Sequence, residues 1–154
     1  MSELYLVRHA KAGSRERWTG DDRRRPLSKP GRRQAEDLVR LFDGRKVERI
    51  LSSPFVRCVQ TVQPLAIDRA LPIEESDALS EGAPLALVLD LVAELDGVAV
   101  VLCSHGDVIP SLVEHLAEEG MTIEGDPNWM KGSTWILERD GDRIVRGRSL
   151  EVPA

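Results

Sequence analysis

The 154-residue chain reads as an α/β protein, a three-layer α/β/α sandwich on a mostly parallel central sheet, and three observations predict this. Short strand-like runs alternate with amphipathic helical segments four times over. The run VAVVLCS (98–104) is apolar throughout, as befits a strand covered on both faces at the centre of a parallel sheet. A hairpin signal, Asp140-Gly141 inside STWILERDGDRIVRGRSL, follows the last helix and closes the chain.

Each element has its own reason. Residues 3–7 form a β-branched and aromatic strand. From Lys11 to Pro26 nothing is periodic, and Gly13, Gly20 and Pro26 mark a long polar loop. LSKPGRRQAEDLVRLF is a helix: Ser28 caps it, Pro30 fits the first turn, Ala35, Leu38, Val39 and Phe42 form its apolar stripe, and Gly44 ends it. VERILSS is the second strand. Ser53-Pro54 then opens a helix as cap and first helical residue, and Pro64 is expected to end or kink it. LPIEE is a short third strand and DALSEGAP a loop. LALVLDLVAEL is a helix stopped at Asp96-Gly97; VAVVLCS, the turn HGD and the helix VIPSLVEHLAEEG follow. The segment 121–131, MTIEGDPNWMK, is read as loop.

Composition sets the outer limits. The length suits a single domain over 1–154, and 42% apolar with 31% charged residues is ordinary for a globular protein. The apolar runs are too short or too interrupted to span a bilayer, so no membrane partner is expected. MSELYLVRHA lacks the apolar core of a signal peptide, and Cys58 and Cys103 sit in no metal or redox spacing. A reducing, cytoplasmic compartment follows as the expectation. A net charge of −5 argues against a nucleic-acid partner, although arginines cluster between Arg15 and Arg33. That cluster is either a solvated loop and helix start or a cationic rim on the path of an anionic substrate.

In parallel α/β sheets ligands bind at the carboxyl ends of the strands. The first strand ends in Arg8-His9, the second enters a helix carrying Arg57, the loop after the third holds Glu81, and the fourth ends in Ser104-His105-Gly106-Asp107. Two histidines, two arginines and a carboxylate at one edge fit phosphoryl transfer. Guanidinium groups grip phosphate oxygens in pairs. Helix N-termini aim N–H groups at the same anion, which brings Gly106 into the phosphate-binding set. A neutral imidazole accepts a phosphoryl group, a second histidine steadies the transition-state charge, and a carboxylic acid protonates the leaving oxygen. Other phosphate chemistries do not fit. KGST at 131–134 reverses the order of a P-loop, Cys103 has isoleucine where a cysteine phosphatase needs arginine, and no spacing suggests a metal pair.

Four segments carry a family resemblance: RHA at 8–10, RPLSKPGRRQA at 25–35, ILSSPFVRCVQTVQPLA at 50–66 and VVLCSHGDVI at 100–109. In order, they resemble the histidine phosphatase (phosphoglycerate-mutase-like) superfamily, with Ala10 where its triplet usually has glycine. The short chain is similar to small SixA-type phosphohistidine phosphatases. It is more similar to the histidine phosphatase domains fused to Nudix domains in bacterial MutT-like hydrolases.

The resemblance implies His9 as the phosphoryl-accepting nucleophile, Arg8 and Arg57 as phosphate ligands, and His105 as the second pocket histidine. Glu81 is the expected proton donor, with Asp107 or Asp21 as substitutes. Ser104 is read as a strand-end residue only. Lys11, Arg15, Trp18 and Arg24 are the candidate substrate-loop residues, with Trp18 a possible stacking platform. The implied activity is a metal-independent, cofactor-free phosphatase. Its partner would be a phosphorylated small molecule, a nucleotide or a phosphohistidine protein. The rivals are a mutase and a phosphate-binding module without turnover.

Overall fold

The computed structural model describes residues 2–151. Its elements are β1 (Ser2–Arg8), α1 (Lys29–Leu41), β2 (Arg49–Ser52), α2 (Val56–Arg69), β3 (Ile73–Glu75), α3 (Leu85–Glu94), β4 (Val100–Ser104), α4 (Val108–Glu118), β5 (Thr122–Glu124), β6 (Thr134–Asp140) and β7 (Arg143–Leu150). The seven strands form one sheet in the order β3-β2-β4-β1-β6-β7-β5. β3, β2, β4 and β1 are mutually parallel, β6 runs against both of its neighbours, and β5 pairs parallel to β7. This is the α/β sandwich the alternation predicts, with the hairpin added to the β1 edge of the parallel core.

Period-two alternation sorts β1 between two apolar layers. Tyr5 and Val7 face Leu38 of α1 and Cys58, Val62 and Leu65 of α2, joined by Ile50, Val101, Cys103 and Ile136. Leu4 and Leu6 face the other way, toward Val88 and Val92 of α3 and Ile109, Leu112 and Val113 of α4. All five residues of β4 are buried, as its unbroken apolar run requires.

The RPLSKPGRRQA segment has a packing explanation. Ser28 Oγ accepts from Gly31 N, capping α1, and both Ser28 N and Ser28 Oγ donate to Lys11 O. Gln34 Oε1 accepts from Lys11 N. A Cβ on Gly31 would sit 1.8 Å from Lys11 O, so only glycine lets the start of α1 press against the chain just beyond the first strand.

Four expectations need correcting. α2 begins at Val56 behind an extended Phe55, which makes no side-chain cap, so Ser53 and Pro54 do not start the helix. α2 also continues through Pro64 to Arg69. Val62, Leu65 and Ala66, on either side of the proline, are buried against the sheet, and that burial outweighs one missing hydrogen bond. The segment 121–131 contains strand β5, whose only apolar residue is Ile123; three residues offer too little alternation to be seen in sequence. The hairpin reverses at Gly141-Asp142, one residue later than expected, with Asp140 still paired to Arg143.

Candidate active site

The parallel strands deliver their carboxyl ends to one edge, and the register brings Arg8 of β1 opposite Ser104 of β4. His9 N donates to Ser104 O at 3.0 Å and Ser53 N to Cys103 O at 2.9 Å, so the residues just past three strands are tied together by backbone bonds. The His9 and His105 rings meet edge to face, 5.4 Å between centroids.

His9 is buried, and its Nδ1 lies 2.8 Å from Ala10 O. A carbonyl oxygen can only accept, so Nδ1 carries the hydrogen and Nε2 keeps its lone pair. Burial, reinforced by the nearby His105, Arg57 and Arg8, lowers the pKa of His9 from 6.5 to about 3, against an opposing pull from the Ala10 carbonyl. The ring is therefore a neutral imidazole whose Nε2 keeps a free lone pair.

Ser53, expected only to cap a helix, instead holds His105. Its Oγ accepts from Phe55 N at 3.2 Å, which leaves its own hydrogen for His105 Nε2 at 2.9 Å. The His105 proton is then on Nδ1, which is buried and has no partner. Phe55 packs edge-on to the same ring and lies 4.9 Å from the Arg57 guanidinium carbon.

Arg57 is fully buried in the first turn of α2. Its Nη1 donates to Asp22 O at 2.9 Å, and its Nη2 lies 3.2 Å from Asp22 Oδ2 and 3.7 Å from Glu81 Oε2. Arg8 Nη1 donates to Trp129 O at 2.7 Å. Burial lowers the Arg8 pKa, and Asp107 partly restores it. Gly106 makes room for this side chain, because a Cβ there would lie 2.6 Å from Arg8 Cζ. Arg8 Nε, Arg57 Nε and Nη2, and His105 Nδ1 are all buried donors without a hydrogen-bond partner. Buried donors are normally satisfied, and four left over on these three side chains match the oxygens of a tetrahedral anion.

Above them opens a cavity of about 470 Å³, lined by Arg8, His9, Gly106 and Asp107 on the strand-end side and by Arg15, Arg25, Glu81 and Lys131 on the loop side. Arg57 and His105 lie behind this wall. Glu81 Oε1 meets Arg15 Nη2 at 3.3 Å. Asp107 is otherwise engaged, accepting from Val108 N with Oδ1 and from Gly82 N with Oδ2. Asp21 caps a short 3-10 turn through Arg23 N and does not line the cavity. Lys11, Trp18 and Arg24 also stay outside it; the Trp18 indole N–H donates to Asp21 O at 2.9 Å and leaves the ring partly exposed.

Sequence reasoning passed over Arg25 and Lys131 of this wall, Asp22 behind it and Ser53 beneath it. Arg25 is buried, donating to Gly13 O at 2.6 Å and Asp22 Oδ1 at 2.8 Å. Asp22 bridges Arg25 and Arg57, and the hydrogen bond from Arg25 leads in lowering its pKa. Lys131 comes from the segment read as featureless loop. Arg25 lay inside the arginine cluster read as a possible cationic rim, and Asp22 beside Asp21 in GDDRRR. No group of three or more His, Cys, Asp or Glu is placed to hold a metal ion among the described residues.

The family model described as histidine phosphatase superfamily (branch 1) matches residues 4–83, just over half of the chain. The chain belongs to the histidine phosphatase superfamily. The chain is 35% identical, over 97% of its length, to an 8-oxo-(d)GTP phosphatase of Mycolicibacterium smegmatis, but it spans only about half (48%) of that relative. Among solved structures, it resembles the protein histidine phosphatase SixA complexed with tungstate at 23% identity and a TM-score of 0.77, over 97% of this chain and 94% of that one. A putative phosphohistidine phosphatase SixA from Agrobacterium tumefaciens matches at 26% identity and a TM-score of 0.71, over 99% and 97% of the two chains. No helix among the described residues is long and apolar enough to cross a membrane.

Proposed function

We propose that the chain is a metal-independent phosphatase that works through a phosphohistidine on His9. The observation that carries this reading is the His9 ring itself: Nδ1 is bound to Ala10 O, and Nε2 is free in a buried site where the imidazole stays neutral. In the first step Nε2 attacks phosphorus, the N–P bond forms and the bond to the ester oxygen breaks. Glu81 gives its proton to that oxygen. In the second step the Glu81 carboxylate takes a proton from water, the hydroxide oxygen bonds to phosphorus, the N–P bond breaks and orthophosphate leaves. Arg8, Arg57 and the Nδ1–H of His105 bind the phosphoryl oxygens throughout, supplying the charge stabilisation that other phosphatases take from a metal. Glu81 is preferred to Asp107 and Asp21 because it alone of the three lines the cavity with no backbone N–H bound to its carboxylate.

The strand-end cluster supports turnover over simple phosphate binding, since binding alone needs no histidine with a free nitrogen. A phosphorylated small molecule fits the cavity volume, and a phosphohistidine side chain of a protein fits the same opening. The shared sheet supports reading the chain as one catalytic domain, and two free buried cysteines are compatible with a reducing, cytoplasmic setting.

The decisive experiment uses p-nitrophenyl phosphate. His9→Ala is expected to lower kcat by at least about a thousandfold. Wild-type protein quenched in alkali should retain phosphate that acid removes. EDTA should leave the rate unchanged. Turnover by His9→Ala near the wild-type rate would overturn the assignment, and loss of activity in EDTA would replace it with a metal mechanism.

A further inference from the structure

The loop from Trp129 to Ser133 does two jobs at the site. Its Trp129 carbonyl accepts from Arg8 Nη1. Its backbone is also tied to β1 and the residue after it: Gly132 N donates to both Arg8 O and His9 O, at 3.1 and 3.0 Å, and Ser133 O accepts from Arg8 N. Lys131 is therefore delivered to the cavity wall on main chain bonded to the nucleophile's own carbonyl, with Gly132 at φ +85° making the turn.

Of the neighbouring cations, Arg8 bonds only a main-chain carbonyl, whereas Arg15, Arg25 and Arg57 each lie beside a carboxylate. Arg57 and Arg25 share Asp22, and Arg15 meets Glu81. Lys131 has neither a hydrogen bond nor an ion pair to its ammonium group among the described residues. Lys131 is exposed at the rim of the cavity, and partial desolvation, then Arg8, Arg25, Arg15 and Arg57, lowers its pKa. Lys131 thus presents an unpaired ammonium to a cavity already ringed by arginines, a local excess of positive charge that an anionic substrate would neutralise. Arg8 and Arg57, with His105, are taken up by the phosphoryl group to be transferred. Lys131 sits on the loop side of the same cavity.

We infer that Lys131, flanked by Arg15 and Arg25, forms a second anion subsite, and that the preferred substrates carry a second phosphate linked to the one removed. This rests on the phosphatase reading above and narrows its substrate class to diphosphate and polyphosphate monoesters. His9 attacks the terminal phosphorus, the bridging P–O bond breaks, and the shortened phosphate chain leaves with the proton from Glu81. During the reaction Lys131 neutralises the inner phosphate, whose charge rises as it becomes the leaving group.

Binding of two non-hydrolysable probes, methylphosphonate and methylenediphosphonate, tests this by titration calorimetry without any need for turnover. Wild-type protein should bind the diphosphonate at least about tenfold more tightly, the discrimination that one new charge contact supplies. Lys131→Met should reduce that preference to about threefold or less, Lys131→Arg should keep it, and added salt should weaken it. Equal binding of the two probes by wild type, or a preference that survives in Lys131→Met, would sink the subsite. The His9→Ala assay with p-nitrophenyl phosphate runs separately, so failure of the catalytic reading is seen as His9-independent turnover and failure of the subsite as an unchanged probe preference.

Discussion

The inner pocket and the outer wall of this site are built in different ways. Arg8, His9, Arg57 and His105 stand at strand ends or one step into a helix, where sheet register sets their places. Arg15, Asp22, Arg25, Glu81 and Lys131 stand on loops, held by bonds between residues far apart in the chain, such as Arg25 to Gly13 and Gly132 to His9. The inner set holds unpartnered donors and the outer set mostly paired charges. The inner donors match one tetrahedral anion, and the wall surrounds the space beyond them.

Substitutions can break that contrast at graded depths. Beyond the loss of His9, the largest effect is expected from Arg57→Lys, about a hundredfold in kcat/KM, because a lysine keeps the charge and loses the fork. A loss within about threefold would place Arg57 among the structural cations of the wall. Gly106→Ala should cost roughly tenfold by driving a methyl into the Arg8 guanidinium, with KM rising more than kcat falls. Steady-state kinetics with unchanged thermal stability would distinguish this from misfolding.

Ser53→Ala is expected to cost about three- to tenfold. It frees His105 Nε2, so the proton that should face the phosphoryl group is no longer fixed on Nδ1. The signature is a changed pH profile along with the lower rate; a lower rate with the wild-type profile would make Ser53 a packing residue only.

The smallest effect concerns pH. With the folded pKa of His9 near 3, the imidazole stays neutral through mildly acid solution, so kcat/KM should show no inflection near 6.5 from this group. The sign for stability is the reverse of a stabilising ion pair. Between about 3 and 6.5 the unfolded chain binds the proton and the folded one does not, so stability falls as pH drops through that window. His9→Asn should flatten this part of the thermal-midpoint curve, and an unchanged slope would mean that the ring is solvated.

Much of the inner pocket was legible because its residues follow strands directly. A strand that ends in Arg8-His9 and one that ends in Ser104-His105 can only meet if the strands are neighbours, and the α/β alternation made that the expected arrangement. Ser53 was visible too, but its role was misread. A serine before a proline looks like a helix cap, and only the position of His105 across the sheet turns its hydroxyl toward an imidazole. Trp18 lies outside the cavity, with its indole N–H bonded to Asp21 O.

The sequence by itself determined the layers and the parallel core, and it placed Arg8, His9, Arg57 and His105 at strand ends or just beyond them, since periodicity and strand-end placement are local properties written along the chain. The tertiary structure decided the continuity of α2 through Pro64, the strand in 121–131, the tautomer of His105, and the assembly of Arg25 and Lys131 into one wall, with Asp22 bridging Arg25 and Arg57 behind it. Each of those depends on what a distant segment presents: buried surface for the helix, an edge for the strand, a hydroxyl for the ring, and the main chain of Arg8 and His9 for the lysine's loop.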